Sequence, residues 1–209
     1  MKKLWLLFFG TLLLFAAPYT GFLKMKKGAW AKYEIVSDGT SMQMTIKYLG
    51  TIKYKGKRVN IIENEATSPQ GRFVTQYWSD KENDSSLQKM ITKTPQGIIC
   101  MEEEMIGMSG EKPNYYTKTP KKYSPQKPNI KLSTYTLPSG KKISVAIFKD
   151  EKSEVWVSSQ VPFGIVLVKE NGKTTMKLID FGLSGANPAI PLDEAKSCSP
   201  MALPFFPGQ

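Results

Sequence analysis

The sequence predicts a mainly β protein: one large, curved antiparallel sheet, a half-barrel or barrel, with little helix. Three observations predict it. Apolar residues recur with period two from Ala29 onward. The alternating runs are separated by short turn signals such as Asp38-Gly39, Lys55-Gly56-Lys57 and Asn171-Gly172. Helical periodicity surfaces only once. Many short strands joined by tight turns pair with their sequence neighbours, which gives an antiparallel meander.

The first 23 residues precede the sheet. Lys2 and Lys3 lead into an apolar run over residues 4–17 broken only by Gly10 and Thr11. That length suits the core of an export signal and falls short of the roughly 20 residues of a spanning helix. Reading on to Leu23 extends the apolar stretch, so an uncleaved anchor over residues 4–23 is the alternative. Either way the body of the chain is expected outside the cytoplasm, in the periplasm, free or anchored to the inner membrane.

Residues 28–184 are read as the β domain. Trp30, Lys32 and Glu34 alternate with Ala31, Tyr33 and Ile35; after the turn, Met42, Met44, Ile46 and Tyr48 share one face and Gln43, Thr45 and Lys47 the other. Residues 51–54 and 58–65 flank the second turn. Residues 72–78 and 87–92 bracket a polar loop, and 97–101 form a further strand. Met101, Met105 and Met108 at i, i+4 and i+7 predict one short helix that Gly107 and Gly110 end early. Strands follow at 142–148, 154–158, 164–169 and 174–181, about ten in all. Between them, residues 111–129 carry four prolines, three tyrosines and five lysines and are read as a surface excursion. The Pro-rich tail, residues 185–209, is expected to be irregular, with an apolar Phe205-Phe206 tip that needs a partner surface.

Composition excludes more chemistry than it suggests. The chain of 209 residues has no histidine, which removes imidazole acid/base chemistry and histidine-activated nucleophiles. Two cysteines are too few for a four-thiolate metal site. Of 29 cationic residues only Arg58 and Arg72 are arginines, whereas base reading leans on bidentate arginine, so no nucleic-acid partner is expected. Asp180-Phe181-Gly182 spells a kinase triplet without the rest of the kinase signature, and four Ser-x-x-Lys spacings are what a lysine-rich chain delivers by chance. Glu63 and Glu65 share a strand face but read as a solvated edge. Cys100 with Met101, Met105 and Met108 is the one soft-ligand cluster, suited to Cu(I) in principle and to core packing more simply. The sequence therefore implies no enzyme, metal or cofactor. Cys100 and Cys198 are the candidate disulfide, permitted by an oxidising compartment.

Two segments carry a resemblance. Gly28-Ala-Trp-Ala-Lys-Tyr-Glu-Ile with Met42-Gln-Met-Thr-Ile-Lys-Tyr-Leu-Gly, and Glu154-Val-Trp-Val-Ser-Ser-Gln-Val-Pro-Phe-Gly-Ile-Val-Leu-Val-Lys with Lys177-Leu-Ile-Asp-Phe-Gly, resemble uncharacterised exported bacterial proteins. These are similar in architecture to the periplasmic lipoprotein-carrier superfamily, whose curved sheet wraps an apolar concave face. The resemblance implies a lipid or acylated peptide, or a lipoprotein, as partner. Trp30, Met44, Ile46, Trp78, Val155 and Val157 are the candidate lining residues, though alternation alone leaves open which face is inward. The other reading is a structural or interaction module of the cell envelope, tethered by residues 4–23.

Overall fold

The computed structural model describes residues 25–37, 39–69, 71–83, 86–108 and 130–199. Expectations for residues 1–23, the 111–129 excursion and the Phe205-Phe206 tip lie outside them. Eleven strands among the described residues form one antiparallel sheet: β1 (Ala29–Ser37), β2 (Thr40–Tyr54), β3 (Lys57–Ser68), β4 (Gly71–Asp80), β5 (Leu87–Thr94), β6 (Gly97–Glu102), β7 (Ile130–Thr136), β8 (Lys142–Lys149), β9 (Ser153–Val157), β10 (Ile165–Glu170) and β11 (Lys173–Gly182). The described helices are short, α1 (Glu103–Met108) and α2 (Leu192–Ser197).

The spatial order is β6-β5-β4-β3-β2-β1-β11-β10-β9-β8-β7. Six strands walk from the centre to one edge; the chain then reappears at the opposite edge, and five strands walk back until β11 pairs with β1. The mainly β expectation holds in an open form, with β6 and β7 as edges instead of a closed barrel. The turn signals act as their chemistry requires. Lys55 and Gly56, like Asn171 and Gly172, both take positive φ, the combination that matches a two-residue hairpin to the twist of its strands.

Three boundaries differ from the sequence reading. The runs at 42–48 and 51–54 are one strand, β2, interrupted by a bulge between Tyr48 and Gly50. An extra residue inverts the alternation beyond it, so the even residues Met44 and Ile46 feed one apolar cluster while Ile52 and Tyr54 feed another. Strand β7 lies where no strand was expected, next to prolines that an edge strand tolerates. The tail is not irregular throughout: residues 192–197 form α2, with Asp193 and Glu194 in its first turn and Lys196 in its last, the charge order a helix dipole favours.

The core divides in two. One cluster gathers Ala31, Tyr33, Val145, Val161, Val166 and Leu178. The other gathers Val59, Ile61, Val74, Trp78 and Ile91 with Ile190 and Ala195 from the tail. Where they meet on β1 and β2 they use opposite faces: Tyr33 pairs with Met44 and Ala31 with Ile46, whereas Trp30 pairs with Lys47, which pairs with Glu63 in the second cluster's row.

Candidate binding surfaces

On the face of β2–β6, residues 186–198 cross the strands as a strap. The strap starts where the Ala186 amide donates to the Gly28 carbonyl and ends at edge strand β6, where Cys198 is disulfide-bonded to Cys100 across a Cα–Cα distance of 6.1 Å. Between these points it is held through its main chain. Lys47 Nζ donates to the Asn187 carbonyl at 3.2 Å. The Glu63 carboxylate accepts the amides of Ala189 and Ile190, and Gln76 Nε2 donates to both Glu63 and the Ile190 carbonyl. Lys89 Nζ donates to the carbonyls of Lys196 and Cys198, groups that the C-terminal end of α2 would otherwise leave without partners.

Glu63, Gln76 and Lys89 are each 0% exposed. The reading of Glu63 and Glu65 as a solvated edge is therefore corrected for Glu63. Its row pairs Lys47, Glu63, Gln76 and Ile91 across four strands, and this row faces the strap. A buried charge needs a counter-charge, and each has one on the sheet itself: Lys47 with Glu63 at 2.8 Å and Lys89 with Glu102 at 3.2 Å. Burial alone would raise the Glu102 carboxyl, but hydrogen bonds from Tyr54, Lys55 and Lys89 outweigh it and hold it below the usual carboxylate range. Burial would likewise lower the Lys47 ammonium; its bonds to Glu63 and Glu65 outweigh that and raise it. The Tyr54 hydroxyl is pushed up by burial first and by Glu102 second.

A second surface follows from the register. Ile130 pairs with Phe148, Phe148 with Val155, Val155 with Val168, Val168 with Met176, Met176 with Ile35, and Ile35 with Met42. Directly paired residues lie on one face, so an unbroken apolar row crosses seven neighbouring strands, about 28 Å at the usual strand spacing. None of the seven is fully buried; six are half-buried, and Ile35 and Met176 among them pack against the first core cluster. At the β7 edge Ile130 is 52% exposed and Leu132, on the same face, 70%.

The six candidate lining residues sort by face. Met44, Ile46, Val155 and Val157 lie on the face of the apolar row, with Val155 in the row itself. Trp30 and Trp78 lie on the strap face. Trp78 is fully buried beneath the strap, its indole N–H donating to Gln76, and Trp30 packs against Gly182. The structure does not gather the six on one surface. The sequence reading missed Lys47, Gln76, Lys89 and Glu102; for three of them the signal available was the parity shared within a strand, Gln76 with Trp78, Lys89 with Ile91 and Glu102 with Cys100, which marks an inward face carrying polar groups.

Cys100 is engaged in the disulfide, and no group of three or more metal-ligating His, Cys, Asp or Glu residues occurs among the described residues. Asp180-Phe181-Gly182 is the end of β11, where the Asp180 carboxylate accepts the Phe181 amide. A scan against protein-family models finds no match to this chain, and a search of curated proteins finds none.

Proposed function

We propose that the protein is a non-enzymatic, extracytoplasmic β protein that binds a lipid or the acyl chain of a lipidated peptide along the apolar face of β7–β11, β1 and β2. The observation that carries this reading is the seven-residue row. A soluble sheet ordinarily places polar side chains on a face it leaves half open, and an apolar strip of this length is an interaction surface. Its geometry suits a chain-like ligand: narrow, continuous and without a polar side chain in the row, so that it grips hydrocarbon without reading a headgroup. The opposite face of β3–β5 is already filled by the strap. The same kind of surface is what the lipoprotein-carrier resemblance implies.

Purification from the envelope followed by lipid extraction and mass spectrometry tests the proposal. The expected result is a co-purifying acyl lipid that a Val155→Glu, Met176→Glu double variant loses while keeping its β-sheet circular dichroism. Protein recovered empty from repeated preparations, with no affinity for a fluorescent fatty acid, overturns it. A second reading, a tethered structural module, is favoured by the sealed strap face around Trp78; unchanged lipid recovery by the double variant would point that way.

A further inference from the structure

The strap is seated in an unusual manner for a core segment. Its anchoring contacts are made chiefly by its main chain: two amides to Glu63, carbonyls to Lys47, Gln76 and Lys89. Ile190 and Ala195 are its only fully buried side chains. The charged groups beneath it are neutralised on the sheet, Lys47 by Glu63 and Glu65, Lys89 by Glu102. Lifting the strap would thus leave no charge without its partner, and water can replace each main-chain contact. What resists lifting is the packing of Ile190 and Ala195 on Val59, Ile61, Trp78 and Ile91, together with the covalent clasp between Cys198 and Cys100 on the edge strand. Cys198 is the half-buried member of the pair and Cys100 the fully buried one, so the residue on the strap is the less enclosed of the two.

We propose that residues 187–198 are a redox-releasable strap over a groove that reads peptide main chain, and that a dithiol reductant opens this groove to a peptide of the strap's own kind in trans. The thiolate of the dithiol attacks Cys198 Sγ, the bond to Cys100 Sγ breaks, and Cys100 leaves as a thiolate that takes up a proton. The second thiol of the reductant then closes on the first, releasing Cys198 as a thiol. Two electrons and two protons pass to the cysteine pair, and the dithiol ends as a disulfide. The partner chemistry is set by the present occupant: a segment that offers two successive amides to Glu63, a carbonyl to Gln76 and an apolar side chain at the position of Ile190, and then turns into a short helix with a small side chain at the position of Ala195. Its recognition is tolerant of sequence because most anchoring bonds are to backbone.

Hydrogen exchange on the full chain, oxidised and in dithiothreitol, is the first test. The expected result is at least a tenfold loss of protection in residues 187–198 with β3–β5 amides unchanged. No change on complete reduction overturns the proposal, and so does loss of protection throughout β3–β5, which would make the strap an integral part of the core. The second test uses full-length protein carrying C198S and I190D, whose own strap is displaced, and a labelled synthetic peptide of residues 187–198 carrying C198S. The peptide is expected to bind this variant at least tenfold more tightly than it binds the oxidised parent, and N-methylation at its Ile190 amide is expected to weaken it at least tenfold. Equal binding of the methylated peptide, or no binding to a variant that retains β3–β5 protection, overturns the proposed groove.

Discussion

Replacing Lys89 with methionine isolates the charge that seats the strap. The side chain is fully buried, so methionine keeps most of its apolar volume and removes the ammonium. The losses are hydrogen bonds to the carbonyls of Lys196 at 3.2 Å and Cys198 at 2.7 Å, the ion pair with Glu102 at 3.2 Å, and the approach to the Tyr54 and Trp78 rings at 5.3 and 5.8 Å. Breaking a buried pair costs about 3–5 kcal/mol, and the desolvation of the ammonium is recovered when it is removed. Glu102 keeps the Tyr54 hydroxyl and the exposed Lys55 ammonium, which puts the net loss near the lower bound, about 3 kcal/mol at pH 7. With a urea m-value of about 2 kcal/mol/M the midpoint falls by about 1.5 M. Acid supplies the control. The Glu102 carboxyl is held below its unfolded value, so its contribution is present above the unfolded pKa of about 4.3 and is lost as pH falls through the folded one. The K89M loss therefore shrinks below about pH 4. A loss under about 0.5 kcal/mol at pH 7, or one that acid leaves unchanged, refutes the reasoning.

Cys198→Ser removes a link closing 98 residues; in the chain-entropy model it is worth about 4–5 kcal/mol, so melting under oxidising conditions drops by about 10 °C or more, while parent and variant coincide in dithiothreitol. Gly182→Ala drives a Cβ into the Trp30 indole; a loss of about 1–3 kcal/mol is expected in chemical denaturation, and a Trp30→Ala background should remove most of it. Stability against pH should be level between about pH 5 and 8, since no histidine titrates there. It should fall on the acid side as Glu65 and Glu102, both held low in the folded protein, take up protons; a step near pH 6.5 in urea midpoints would contradict this.

The strand plan was legible because period two and turn chemistry are local. Asn171-Gly172 and Lys55-Gly56 sit in hairpin turns with positive φ at both positions, as their residue types demand. What local pattern could not supply was register. The bulge at Tyr48/Gly50 reassigns Ile52 and Tyr54 to the other cluster without any change in the visible alternation. Strand β7 was hidden for a related reason: its residues are exposed or half-buried throughout, so its pattern carries little burial signal. The apolar row joins residues as far apart in sequence as Ile35 and Met176, each an ordinary strand residue by itself. The strap was invisible because a Pro-rich tail reads as linker until Glu63 and Lys89, which look like surface charges, are seen beneath it. The cysteine pairing was the one long-range contact available from the sequence, as the only intrachain option.

The proposal that the half-buried apolar row of β7–β11, β1 and β2, and not the strap face, takes an acyl chain is tested most directly by site-resolved photolabelling. Protein irradiated with a diazirine-bearing fatty acid and digested for mass spectrometry should carry label on peptides containing Phe148, Val155, Val168 and Met176, with peptides around Trp78 and residues 187–198 unlabelled. Label concentrated at Trp78 and the strap, or none at saturating probe, would contradict the account.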